Sequence, residues 1–309
     1  MEGRDTERNV LLTRVRRWLP GLLLVSPSIV AIGVFVYGML GWNFRLAMTD
    51  QHDEISEGRF VGLENFIGLW DEPRWHISVN HALVFTAVFV GGALLLGWFL
   101  AFLMEKGIKG EGTFRAIYLF PMAVSFVATG IVWRWLMNAG QDERAVGLNR
   151  LFTGLGLDSL QWDWFRDQEW GMAAMAIPAI WQMSGYVMAL FLAGFRGVPE
   201  ELREAARVDG CSEWRVYRHI VLPYLRPVTL SALIILGHIS LKVFDLVVAV
   251  AGTQIVTDVP AVFMWVAVFE SHDPAKGATI ASYIVLAVAI FVVPYLIGSV
   301  RKERREKRS

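Results

Sequence analysis

Lys242 and Asp245 stand three residues apart inside an otherwise apolar stretch, Pro227 to Ala251. A charge in such a run is expensive and marks a functional position by default. On one helix the two side chains share a face, so they either pair with each other or turn to a polar cavity or a partner subunit. Gln182 and Tyr186, four apart in a second apolar run, present an amide and a phenol on one face. Such groups suit a neutral substrate; core packing explains them equally well. Arg134, between Trp133 and Trp135, lies near the end of a third run, where snorkelling to the interface accounts for it. The histidines, His52, His76, His81, His219, His238 and His272, show no ligand spacing. His76 and His81 lie close in sequence but lack a third ligand. No G-x-x-x-x-G-K-[ST], H-E-x-x-H or G-x-S-x-G occurs, so the chain lacks the residues for a phosphate loop, a zinc protease or a serine hydrolase. The single cysteine, Cys211, excludes an internal disulfide framework. Nothing points to a catalytic residue, a bound cofactor or a metal.

The elements that must position these residues are membrane helices. Of 309 residues, 55% are hydrophobic and 19% charged, against about 45–50% and about 25% in a soluble domain. That excludes disorder. Equal numbers of basic and acidic residues, 29 each, argue against nucleic-acid binding. The apolar residues fall in runs long enough to cross a bilayer as helices, and the runs do not alternate as barrel strands do. Six spans are expected, near 19–41, 80–103, 114–137, 171–195, 228–250 and 277–300. The fold class is therefore an all-α polytopic membrane protein. The first span is too long for a signal-peptide core and no cleavage site follows it, so it reads as an uncleaved anchor. The stretch 259–269 is too short to span and reads as an interfacial or re-entrant helix on the outer side.

Charge sets the orientation. With the N-terminus inside, the inner segments carry 20 Lys and Arg and the outer segments 7, which predicts cytoplasmic N- and C-termini. The chain then divides into a cytoplasmic tail 1–18, a six-helix domain 19–300 and a basic cytoplasmic tail 301–309. The longest inner loop, 196–227, reads as two short helices. Pro199 suits the first helical position, and Glu200 and Glu201 face the positive end of the helix dipole. Gly210 fits a left-handed C-cap, Ser212 caps the second helix and Pro223 ends it. Leu202, Ala205 and Ala206 share one side of the first helix. This is the form of a docking element, with an amphipathic loop lying on the membrane as the plainer reading.

Glu204-Ala205-Ala206, then Gly210, Ile220, Leu222 and Pro223, resembles the EAA motif of permease subunits of binding-protein-dependent ABC importers. Arg59-Phe60-Val61-Gly62-Leu63-Glu64-Asn65-Phe66, Phe120-Pro121 and Val243-Phe244-Asp245 are similar to the carbohydrate uptake permeases of the MalF and UgpA type. One departure is Ala251-Gly252-Thr253-Gln254, where many members carry T-x-G-G-P. Tyr186 to Leu190 and Thr257 to Pro260 resemble monosaccharide permeases of the glucose/mannose type. The resemblance implies the type I importer permease fold in a bacterial or archaeal plasma membrane. It implies a second homologous permease subunit, two ATPase subunits holding ATP and Mg, and an extracytoplasmic binding protein that delivers a sugar. Glu204, Ala205, Ala206, Gly210, Ile220, Leu222 and Pro223 would couple to the ATPase. Gln182, Tyr186, Lys242 and Asp245 would face the substrate path. The rival reading is an ion-coupled secondary transporter that needs no ATPase; it leaves the EAA pattern unexplained.

Overall fold

The computed structural model describes residues 21, 24–53, 55, 58–140 and 144–306. The tail 1–18 and residues 307–309 lie outside them. Among the described residues the fold is helical, and β-structure is limited to one bridge, Thr49 to Phe60. The main helices are α1 (Leu24–Ala47), α2 (Glu64–Gly68), α3 (Pro73–Glu105), α4 (Glu111–Leu119), α5 (Phe126–Leu136), α6 (Gly147–Gly154) and α7 (Gly171–Arg196). They continue as α8 (Glu200–Val208), α9 (Glu213–Tyr224), α10 (Arg226–Leu241), α11 (Asp245–Ala251), α12 (Pro260–Glu270) and α13 (Pro274–Glu306). Four of these are long and apolar enough to cross a membrane, or up to six if each bent pair of helices counts as one.

The core is built around α3 and α7, which form the most extensive helix pairing. Pro73 opens α3 at a position where its missing N–H is not needed. Trp75, Ser78, Ala82, Phe85, Phe89 and Ala93 then recur at steps of three and four and are buried. The helix runs unbroken for 33 residues, about 50 Å. Helix α7 is buried on most sides, from Gly171 to Phe195. Helix α1 is the opposite case. Ala47 is its only buried residue, and it packs chiefly on α13. Asn43 Nδ2 donates to the Ala278 carbonyl (3.1 Å) and to Ser282 Oγ (3.0 Å).

Two expected spans are broken. The stretch 114–137 is not one helix: α4 tightens into a 3-10 turn at Phe120–Ala123, and α5 leaves at 97°. Val124 and Ser125 are extended, and Ser125 Oγ accepts the Ala128 N–H at 3.2 Å to cap α5. The stretch 228–250 is not one helix either. Helix α10 stops at Leu241, and α11 restarts at Asp245. No Gly or Pro stands at this second break. Packing holds it instead: a Cβ on Gly130 of α5 would lie 2.5 Å from Ala249 Cβ and 3.2 Å from the Leu246 carbonyl of α11, so the missing side chain lets the two half-helices meet. The 259–269 stretch is helical as α12, but Ala261, Val262, Phe263, Val266 and Ala267 are buried in the protein. It packs between α3 and α13.

The segment between α5 and α7 is organised by Asn149, which is fully buried. Its Nδ2 donates to the carbonyls of Asn138 (3.3 Å), Gly140 (3.1 Å) and Trp162 (3.0 Å). Its Oδ1 accepts the Trp162 N–H (3.2 Å) and the Trp164 indole N–H (2.9 Å). Asp167 follows in the turn that leads into α7: the N–H of Trp170, then the Trp162 indole, hold its carboxyl below the usual carboxylate range. Asn149→Leu leaves buried carbonyls and an indole N–H without partners, each costing about 1–3 kcal/mol. Its midpoint of thermal unfolding in detergent is expected to fall by several degrees. An unchanged midpoint would show that this segment does not contribute to the stability of the fold.

Candidate functional site

The loop between α7 and α10 presents a small surface on a braced frame. Helix α8 turns Arg203 and Ala206 inward and leaves Leu202, Ala205 and Val208 outside with Glu204. Ala206, one turn after Leu202, lies at the inner edge of the same side, where it packs against the core. Val208, one turn after Ala205, is 87% exposed, and Trp214, at the start of α9, is 69% exposed, so large apolar groups stand uncovered on this loop. Gly210 takes φ +77. The Cys211 N–H donates to the Ala206 carbonyl (2.9 Å) and the Gly210 N–H to the Arg207 carbonyl (3.0 Å), the paired bonds of a Schellman cap. Arg207 spans the turn, reaching Glu213 (2.8 Å) and Glu200 (3.1 Å). Those two carboxylates, Glu213 first, push the guanidinium still higher.

Three local expectations are corrected. Pro199 is the N-cap residue, one place before the first helical position. Ser212 stands at the N-cap of α9, but its side chain makes no capping bond. Pro223 does not end the helix. A π-turn, Tyr217–Val221, precedes it, and the wider turn makes room for the ring. The chain bends only after Tyr224, by 57°. Ile220 packs against the core, while Leu222 stays 39% exposed.

Behind α8 lies an ion pair that the sequence reading missed. Arg203 Nη1 meets Glu105 Oε1 at 2.6 Å, with both side chains nearly buried. Arg203 Nη2 also donates to the Phe195 carbonyl (3.1 Å), and the Tyr217 hydroxyl donates to Glu105 Oε2. Glu105 is the last residue of α3. Six residues on, Glu111 opens α4 and takes Arg196, the last residue of α7, through both carboxylate oxygens at 2.7 Å. The two carboxylates that bracket the α3–α4 turn thus hold the root and the body of the α8 loop. The one sequence signal was an arginine on the inward side of a short amphipathic helix.

The second site is where the two helix breaks converge. A cavity of about 160 Å³ is lined by Phe126, Ile239, Lys242, Val243, Phe244 and Asp245, together with Leu246. Lys242 and Asp245 are both exposed here and lie on opposite sides of the α10–α11 break. They share no helix face, and among the described residues no ion pair joins them. Gln182, on α7, is spent partly on the other break: its Nε2 donates to the Val124 carbonyl at 2.6 Å. Its Oε1 is buried with no partner among the described residues. Tyr186 is half-buried, one turn further along α7. The structure therefore brings Lys242 and Asp245 to one cavity and does not place Gln182 or Tyr186 in its lining. Non-helical backbone at membrane depth is tolerated where it is enclosed by protein or lines a cavity, and discontinuous helices mark binding sites in transport proteins. His76 and His81 each donate to a backbone carbonyl, of Trp70 (2.7 Å) and Asp258 (3.0 Å).

Residues 93–305 match the model of the binding-protein-dependent transport system inner membrane component family. A protein named as a probable ABC transporter permease of Pyrococcus horikoshii is 39% identical over 92% of this chain and 97% of its own length. A xylose/arabinose import permease of Haloferax volcanii is 32% identical over 86% and 84%. Among solved structures, a bacterial ABC transporter that imports alginate superposes with a TM-score of 0.75 at 18% identity, covering 95% of this chain and 98% of that one. That likeness speaks for the fold. The sequence matches speak for descent: the chain is a multi-pass membrane protein that belongs to the family of inner membrane components of binding-protein-dependent transport systems.

Proposed function

We propose that the chain forms half of the translocation path of an ATP-driven sugar importer. It crosses the plasma membrane six times with both termini in the cytoplasm, two of the crossings being interrupted helices. A second, homologous permease supplies the other half of the path. Two ATPase subunits with ATP and Mg dock on the loop around α8, and an extracytoplasmic binding protein delivers the sugar. The observation that carries this reading is the uncovered face of Leu202, Ala205 and Val208 on a helix braced by Arg207 and held from behind by Arg203. A polar anchor, Glu204, stands beside that face. The relatives that import xylose/arabinose, and glucose in Saccharolobus solfataricus, support a sugar as cargo. Lys242 and Asp245 line the path at the helix breaks, with Gln182 and Tyr186 behind them on α7. The ion-coupled alternative gains no support from these relatives.

The test is reconstitution of the four kinds of subunit in proteoliposomes. Uptake of labelled glucose, xylose or maltose is expected only with ATP on the ATPase side and the binding protein on the other. Uptake by this chain alone, driven by a proton or sodium gradient, would overturn the proposal.

A further inference from the structure

Helix α3 is tied at both ends by a buried ion pair. At one end Glu105 holds Arg203 of α8. At the other, Arg74 Nε meets Asp258 Oδ2 at 2.6 Å, and the Asp258 side chain is fully buried. Arg74 also lies over the Phe263 ring at 4.8 Å, and His81, two turns along α3, donates to the Asp258 carbonyl. Burial pushes the Asp258 carboxyl up, against the pull of Arg74. Asp258 ends the short segment that follows α11, the half-helix whose first residue, Asp245, lines the cavity. Between its two ties α3 has no internal proline and no interruption, whereas its main neighbour α7 carries Pro178 inside it and the α4–α5 and α10–α11 stretches are broken. A stiff element fastened at each end carries displacement; a broken one absorbs it.

From this we infer that α3 is the rod that carries motion of the α8 loop to the segment that follows the cavity-lining half-helix α11, with Glu105, Arg203, Arg74 and Asp258 as positioning residues at its two ends. The inference rests on the importer reading, and it deepens that reading by naming the route. One partner of a buried pair cannot be removed without leaving the other charge uncompensated. For this reason a neutral pair, Glu105→Met with Arg203→Met, separates loss of the tie from loss of the fold.

The test uses the assembled complex in proteoliposomes, with Cys211 replaced by Ser and a reporter thiol introduced as Phe244→Cys. Labelling by a membrane-impermeant maleimide is timed with and without ATP plus vanadate. In the otherwise unaltered complex the rate is expected to change at least about tenfold, which corresponds to about 1.4 kcal/mol. No change there would sink the importer reading itself. In the neutral Glu105→Met/Arg203→Met pair, and separately in Arg74→Gln, the change is expected to shrink below about twofold, while the ATPase subunits still co-purify. Tyr217→Phe, which removes only one bond to Glu105, gives an intermediate value. If a single-site variant does not assemble, the neutral pair and Tyr217→Phe decide. A full response in the neutral pair, or in Arg74→Gln, overturns the role of α3. So does a further loss on combining Arg74→Gln with the neutral pair, because two ends of one linkage cannot fail twice.

Discussion

Gly210→Asp is expected to keep the protein in the membrane and to lower ATP-driven uptake at least tenfold. The reason is conformational. A Cβ at Gly210 meets no atom within 4 Å, so nothing clashes. The residue sits at φ +77, where a non-glycine side chain costs about 1–2 kcal/mol. Opening the Schellman cap that closes α8 on the Ala206 and Arg207 carbonyls relieves that strain. Opening it swings Asp209 to Glu213 and releases the Arg207 brace between Glu200 and Glu213. The surface of Leu202, Ala205 and Val208 then loses its fixed relation to the rest of the loop. Glu204→Lys is expected to have the same outcome through charge. The checks are uptake at matched expression and ATP hydrolysis by the purified complex. Wild-type uptake by either variant would show that the α8 surface does not couple to the ATPase.

Gly185→Ala is expected to do more damage and of a different kind. Here a Cβ would lie 1.8 Å from the Tyr118 carbonyl oxygen and 3.1 Å from the Leu119 N. These are backbone atoms on α4, just before the first helix break, and no side chain can rotate away. Helix α4 must move off α7, which also strips Gln182 from the Val124 carbonyl three residues along α7. Overpacking against backbone together with a lost buried hydrogen bond exceeds about 4 kcal/mol, enough to remove the folded protein. Gly91→Ala is the matched control. It also lies inside a long helix, with nothing within 4 Å of a Cβ, so the change is expected to stabilise by about 0.5–1 kcal/mol. Thermal unfolding in detergent distinguishes the two. Equal yields of Gly185→Ala and Gly91→Ala would show that α4 does not approach α7 this closely.

The apolar runs made the long helices legible, because length and hydropathy are enough to identify them. They hid the breaks. Pro121 offered one hint at the first break, but the turn itself falls at Val124 and Ser125. The second break, Lys242-Val243-Phe244, contains no turn residue at all. It exists because Gly130 lets α5 lie against α11, a contact between residues more than a hundred positions apart. The same holds for Lys242 and Asp245. Their charges stood out in an apolar run, but the shared helix face assumed a continuous helix. In the 196–227 loop, local signals worked where the chemistry is local: Gly210 caps as its position suggests. They failed at Pro223, where a π-turn just before the ring lets the helix run on. Glu105 and Arg203 looked like ordinary loop charges, since nothing in sequence says that two ionic groups will meet out of water. Asn149 was equally invisible in a polar loop.

The tie between α1 and α13 has a consequence for the order of assembly. Asn43 and Ala278 are 235 residues apart in sequence, and α1 has little else within the chain to pack on. At ordinary elongation rates, roughly 10–50 s separate the emergence of the two segments from the ribosome. Throughout that interval α1 is without the partner that the Asn43 amide finally takes. The finished molecule is thus closed by a late event, and a pulse-chase with cysteine cross-links at Asn43 and Ser282 is expected to show the bond only after α13 has been made.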